Sequence, residues 1–172
     1  MKVYEIEIEL TGIEPRIWRK VIIEETATLE MLHLTIQGAM GWLNYHVHDF
    51  HHGGEIYDEF TESTLVVSDI LRKGSAFEYH YDMGDGWVHL LKVTTIREHT
   101  RFDTYQKCIA GERACPPEDC GGVPGYEELC QALKDESHPE HKSMKQWAGA
   151  FDPEVFSITQ ASAMISALLA LS

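Results

Sequence analysis

Hydrophobic and polar residues alternate strictly along 3–10, with Tyr4, Ile6, Ile8 and Leu10 on one side and Glu5, Glu7 and Glu9 on the other. A period of two that sets glutamates opposite aliphatic residues predicts a strand with one buried face. Gly12 to Pro15 reads as a turn and 17–23 as a second strand, so the two pair as a hairpin. The period then lengthens: Leu29, Leu32, Ile36, Ala39 and Met40 form a helical stripe behind a Thr28 cap, and Gly41 ends it. Short strands follow at 47–51 and 55–57, around Gly53-Gly54. The segment 65–71 fits either a strand or a short helix that Ser68 caps and that stops before Gly74. Phe77, Tyr79 and Tyr81 share one face of a further strand, and Asp85-Gly86 turns the chain into its partner at 87–96. Three helices close the chain: one from about Pro124 to Lys134, one over 139–148, and one from a Thr159 cap to the end.

Strands first and helices last predict the α+β class, with a mixed or antiparallel sheet built from hairpins. That sheet packs against one early helix and a C-terminal helical segment. The 172 residues suit a single domain over 1–172: strand-rich in 1–107, a Cys-rich loop over 108–125 and helical over 126–172.

Charge narrows the partners. The net charge of −14 repels a phosphate backbone, so a nucleic-acid partner is disfavoured. Arg16, Arg19 and Lys20 make the only tight basic cluster. Met1-Lys2 leads directly into the alternating strand, and the apolar stretch 161–171 contains two serines and is too short to span a bilayer. The expectation is a soluble cytoplasmic protein with no membrane partner. In a reducing compartment four cysteines more often act as thiols or metal ligands than as structural disulfides.

The loop CIAGERACPPEDCGGVPG holds three of the four cysteines. Its prolines and glycines predict irregular backbone throughout, and so long a loop needs something to hold its shape. The spacing C-x6-C-x4-C puts one interval within the range of a zinc knuckle. The metal reading takes Cys108, Cys115, Cys120 and, from the preceding strand, His89 as zinc ligands, with Cys130 as a substitute. Two alternatives stand beside it: small buried thiols with no partner, and disulfide or redox chemistry. Glu118 and Asp119 lie between two of the thiols and disfavour free thiolates.

Two further clusters carry polar chemistry. The run His46-Val47-His48-Asp49-Phe50-His51-His52 approaches the H-x-H-x-D-H pattern of binuclear metallohydrolases, but Asp49 follows His48 directly and the register is off. A structural or ligand role for His48 is the better fit. Asp82, Asp85, Trp87 and His89 converge on one turn and the strand after it. The spacing is not that of an EF-hand, and the competing reading is a hairpin turn in which aspartates cap backbone N–H groups. Phosphate-binding glycine loops and a G-x-S-x-G elbow are absent from the sequence.

Several of these motifs together resemble the plasmid pRiA4b ORF-3-like family. They are Pro15-Arg16-Ile17-Trp18-Arg19-Lys20, Leu32-His33, Gln37-Gly38-Ala39-Met40-Gly41-Trp42 and His46-x-His48-x-Phe50. Tyr81-Asp82-x-Gly84-Asp85-x-Trp87-x-His89 and Cys108-x-x-Gly111-x-x-Ala114-Cys115-Pro116-Pro117-Glu118-Asp119-Cys120-Gly121-Gly122 follow in order, then Gly125-Tyr126 and Phe151-Asp152-Pro153-Glu154. Met83 stands where the family usually has Phe. The resemblance implies a compact α+β domain among mostly uncharacterised proteins of bacteria, archaea and mobile elements. Some relatives carry a resolvase-like label. The label does not suit this chain, which shows no nucleophile ringed by cations.

The leading functional reading is a non-enzymatic domain that binds a protein partner. Its surface would be Trp18, Arg19, Trp42, His46, His48, Asp82, Asp85 and Trp87, since aromatic and Arg side chains dominate such surfaces. The alternative is a metal-dependent hydrolase with its site near His48, Asp82, Asp85 and His89.

Overall fold

The computed structural model describes residues 1–101, 103 and 106–171. Its strands are β1 (Lys2–Leu10), β2 (Ile17–Glu24), β3 (His48–His52), β4 (Glu55–Asp58), β5 (Ala76–Tyr81), β6 (Trp87–Glu98) and β7 (Lys107–Glu112). Its helices are α1 (Leu29–Met40), α2 (Val67–Ile70), α3 (Gly122–Lys134), α4 (His141–Ala148) and α5 (Ile158–Leu169), with a 3-10 turn at Glu62–Thr64. The strands form one antiparallel sheet in the order β4-β3-β5-β6-β1-β2-β7. The α+β expectation therefore holds, and the sheet is wholly antiparallel. Among the described residues no helix is long and apolar enough to cross a membrane.

The alternating strand sits at the centre, between β6 and β2. Ile6, Ile8 and Leu10 are buried, while Glu5, Glu7 and Glu9 take the opposite face. There Lys20 and Arg97 reach Glu5, and Arg16 reaches Glu7 and Glu9. Such exposed pairs add little stability each. On the other face α1 packs against α5 and β2. Thr28 caps α1, as predicted, by accepting from Met31 N, and Gly41 closes it at φ 90°. The last helix is capped two residues earlier than predicted: Ser157, not Thr159, accepts from Gln160 N.

The Cys-rich segment is less irregular than its composition suggests. Cys108 and Gly111 lie in β7, which pairs with β2, and Gly122, Pro124 and Gly125 lie in the first turns of α3. Only 113–121 remains loop. Pro124 is tolerated because the first helical N–H groups have no intrahelical partner to lose. Gly111 survives in a strand because a side chain there would strike Phe156 and the Trp18 carbonyl.

Arg19, on β2, points into this core and is 1% exposed. Among the described residues its guanidinium meets no carboxylate. Nε donates to Ala39 O, Nη1 to Trp18 O and Glu112 O, and Nη2 to Arg113 O, all at 2.7–2.9 Å. The Phe156 ring covers it, 3.9 Å from Cζ to centroid. One side chain thus ties the end of α1, strand β2, the exit of β7 and the approach to α5. Two histidines are also buried here. His89 is held neutral by burial, at about 3, and His33 is pushed to about 3 by burial and then by neighbouring His48.

Three outcomes follow from this packing. Arg19→Met and Arg19→Lys both lower stability by at least about 3 kcal/mol in urea unfolding, because buried carbonyls are stranded and one ammonium cannot reproduce the fork. Recovery of wild-type stability by Lys would overturn the carbonyl cage. A Cβ on Gly38 would stand 2.6 Å from Ile165 Cα, so Gly38→Ala forces α1 and α5 apart and costs about 1–3 kcal/mol. An unchanged melting temperature would show that the helices do not need this contact. Both buried histidines titrate below their unfolded value near 6.5. Between that value and about 3 the unfolded chain binds more protons, so stability is lost as pH falls, by up to about 1.4 kcal/mol per unit for each histidine. Urea titrations between pH 7 and pH 4.5 test this, and His89→Leu should flatten the slope.

Candidate functional site

A cavity of about 630 Å³ opens at one end of the sheet. Its walls come from the start of α1 (Glu30, His33, Leu34), the segment 43–48, Glu59, Glu62, Leu168 at the end of α5 and Leu171 just beyond it. Three carboxylates line it and no Lys or Arg does. Leu43, Tyr45, Val47 and Leu171 are exposed around it and make an apolar rim.

The floor is a hydrogen-bonded polar layer. Tyr79 on β5 accepts from Gln37 Nε2 at 2.9 Å and donates to His33 Nδ1 at 2.8 Å. Burial raises the Tyr79 phenol well above its ordinary value, which keeps the donor proton in place. His33 then carries its own proton on Nε2, 2.9 Å from Asn44 Oδ1. Gln37 Oε1 accepts from Asn44 N, so one residue pair at i, i+4 on α1 pins the segment after the helix. The His48 ring lies parallel to His33, 3.5 Å away, and its Nε2 pairs with the buried Glu62 carboxylate at 2.8 Å. Both nitrogens of His33 and Nε2 of His48 are therefore committed.

Beside the cavity three loops meet. Trp42 Nε1 donates to Pro116 O, and Glu118 Oε1 accepts from Leu43 N and from the Tyr81 hydroxyl. Tyr81 in turn accepts from Tyr45 N. Asp85 Oδ2 accepts from Gly121 N, and an added Cβ at Gly122 would collide with the Asp85 carbonyl. Asp82 accepts from Gly84 N and Asp85 N in its own turn, the capping role that competed with chemistry in the sequence. His46 Nε2 stands between Asp82 and Asp119.

The structure distributes the predicted site residues differently. Arg19, Trp42, His48, Asp82 and Trp87 are each at most 7% exposed, so they cannot form a partner surface. Strand parity explains Trp87, which follows Tyr79 and Tyr81 onto the helix-covered face. Trp18, His46 and Asp85 are partly exposed, and Arg16 stacks on Trp18. The basic cluster is dispersed as well: Arg19 is buried, while Arg16 and Lys20 pair with glutamates. The hydrolase set is not gathered either, because His48 pairs with Glu62, Asp85 holds Gly121 and His89 bonds to Tyr79 O in the core.

Among the described residues, the proposed zinc set is not gathered into one three-donor cluster. Cys108 Sγ contacts Ala110 O, Cys115 Sγ lies 3.1 Å from Met40 Sδ, and Cys120 Sγ faces Gly122 O. All four cysteines are free thiols. Burial pushes Cys115 up to about 11, and burial and then Asp85 push Cys120 up to about 12. Among the described residues, the groups of three or more donors close enough to share an ion contain none of these residues. The residues missed in the sequence are His33, Asn44, Glu30, Glu59, Glu62 and the pairing of Asp119 with His46. A polar pair at His33 and Gln37, set within an otherwise apolar helix face, was the one local signal available.

The comparisons agree on the fold and carry no activity. A model described as plasmid pRiA4b ORF-3-like protein matches residues 2–160. The uncharacterized protein y4hQ of Sinorhizobium fredii is 33% identical over 162 residues, covering 87% of this chain and 82% of its own. The crystal structure of a protein of unknown function, MM3350 from Methanosarcina mazei Go1, superposes with a TM-score of 0.86 at 35% identity. It covers 92% of this chain and 96% of that one. With the match running across the sheet, the polar floor and the loop junction, the chain belongs to the plasmid pRiA4b ORF-3-like family.

Proposed function

We propose that the protein is a binding domain whose cavity takes an organic cation with an apolar portion, such as an alkylamine. The observation that carries this is the lining: Glu30, Glu59 and Glu62 with no compensating Lys or Arg, inside an apolar rim. A concave site walled by one sign of charge focuses the field on a ligand of the other sign. The volume of about 630 Å³ suits a small molecule or one extended side chain. Binding is favoured over catalysis at the floor because the His33 ring is consumed by Tyr79 and Asn44 and His48 Nε2 by Glu62, while the third lining histidine, His46, faces Asp82 and Asp119. A general base needs a nitrogen within reach of substrate. The floor reads instead as a rigid platform. Its exposed rim extends the interaction-domain reading of the sequence, with the surface moved from the buried tryptophans to the 43–47 segment and the end of α5.

The test is a nuclear magnetic resonance titration with alkylamines and the matched alcohols. Amines should shift Asn44, Tyr45 and Val47 amides and bind about tenfold more tightly than the alcohols, with the preference weakening in salt. Glu30→Gln with Glu59→Gln should remove most of the preference without altering the fold, since Glu59 is exposed and Glu30 partly so. Equal binding of amine and alcohol, or shifts confined to other regions, would overturn the reading.

A further inference from the structure

His46, Asp82 and Asp119 come from the three loops that meet beside the cavity. Their donor atoms all lie within 4.8 Å of one another. His46 Nε2 is 3.1 Å from Asp119 Oδ1 and 3.6 Å from Asp82 Oδ2. Yet this nitrogen is buried and makes no hydrogen bond: Asp119 Oδ1 is near enough but misaligned, and Asp82 Oδ2 is too far. An ordinary His–Asp pair would align the ring N–H on one oxygen. A cation held at about 2.0–2.2 Å by tetrahedral ligands sets those ligands about 3.3–3.6 Å apart. One observed separation lies at the upper end of that range and the other just below it. The Asp82 carboxylate is itself buried, with Oδ1 spent on its own turn and Oδ2 turned to His46.

A second three-donor group gives the contrast. Asp49, His51 and His80 lie on neighbouring strands β3 and β5. There each ring already has a well-formed hydrogen bond, His51 Nε2 to Asp49 Oδ1 and His80 Nε2 to Glu78 Oε2, both at 2.9 Å. Those rings are satisfied as ion pairs or neutral donors. His46 is not.

We propose that His46, Asp82 and Asp119 bind a first-row divalent cation of the Zn²⁺ or Mn²⁺ class. One imidazole nitrogen and two carboxylate oxygens suit these borderline ions, whereas Ca²⁺ wants six or more oxygens and Cu⁺ wants sulfur. Three protein ligands leave coordination positions for water. The ion joins the loop after α1, the β5–β6 turn and the loop before α3, and it neutralises two carboxylates that face each other across a histidine. This site is separate from the thiols of the Cys-rich segment. It does not depend on the organic-cation reading of the cavity, because the ion itself is the probe.

Untagged protein, stripped with chelator and exchanged into chelator-free buffer, is titrated calorimetrically with ZnCl₂ and, separately, MnCl₂. Wild type should take up about one equivalent of at least one of these ions, with a rise in melting temperature. His46→Gln and Asp119→Asn should each weaken binding about tenfold or more and abolish the thermal shift. His80→Gln, in the contrast group, should bind as wild type does. Asp119 is exposed, so its variant keeps the fold, and circular dichroism checks that it does. No uptake of either ion by wild type overturns the site. So does binding that both variants leave unchanged, or that only His80→Gln removes.

Discussion

The structure depends on burying one permanent charge without a counter-ion. Arginine carries a permanent charge, and Arg19 sits in the core, where an unpaired cation would be prohibitively costly. Four hydrogen bonds to carbonyl oxygens from α1, β2 and the exit of β7 offset that cost. Three of those carbonyls, Ala39, Glu112 and Arg113, also needed a donor, because they lie where a helix or strand ends. The guanidinium and the chain ends therefore solve each other's problem. The consequence is positional: once Arg19 is placed, 110–113 has to run beside β2, and the loop that follows emerges at the end of the sheet where the cavity opens.

That brace acts on the same segment that the cysteine pattern singled out. A loop crowded with proline and glycine does need to be held, and donors and acceptors hold it. Arg19 grips its start, Trp42 grips Pro116, Glu118 binds both Leu43 N and Tyr81, and Asp85 takes Gly121. Each contact joins residues far apart in sequence, and together they set His46 against Asp82 and Asp119. The same end of the molecule carries the stacked histidines and their tyrosine. A neutral His33 is required there, since its Nδ1 must accept from Tyr79 while His48 lies flat against its ring. The polar floor is thus rigid at neutral pH and vulnerable to acid.

The sequence by itself determined what depends on neighbours along the chain. The β1–β2 hairpin, α1 with its Thr28 cap and Gly41 stop, and the Asp82 turn all rest on periodicity or local side-chain to backbone bonds, and each appears as read. It missed β7, because that strand has little alternation of its own and exists as the partner of β2. It placed Trp42, Trp87 and Arg19 on a surface, because residue type speaks of hot spots while burial is set by which face the helices cover. It grouped cysteines that are close in the chain, whereas metal-like geometry arose among residues 46, 82 and 119. Only the tertiary structure could decide the cavity, its carboxylate lining and the His46 site. Their distances are fixed by strand order and by how loops are tied across the end of the sheet, and no local pattern encodes a contact between segments that meet only after the core has closed.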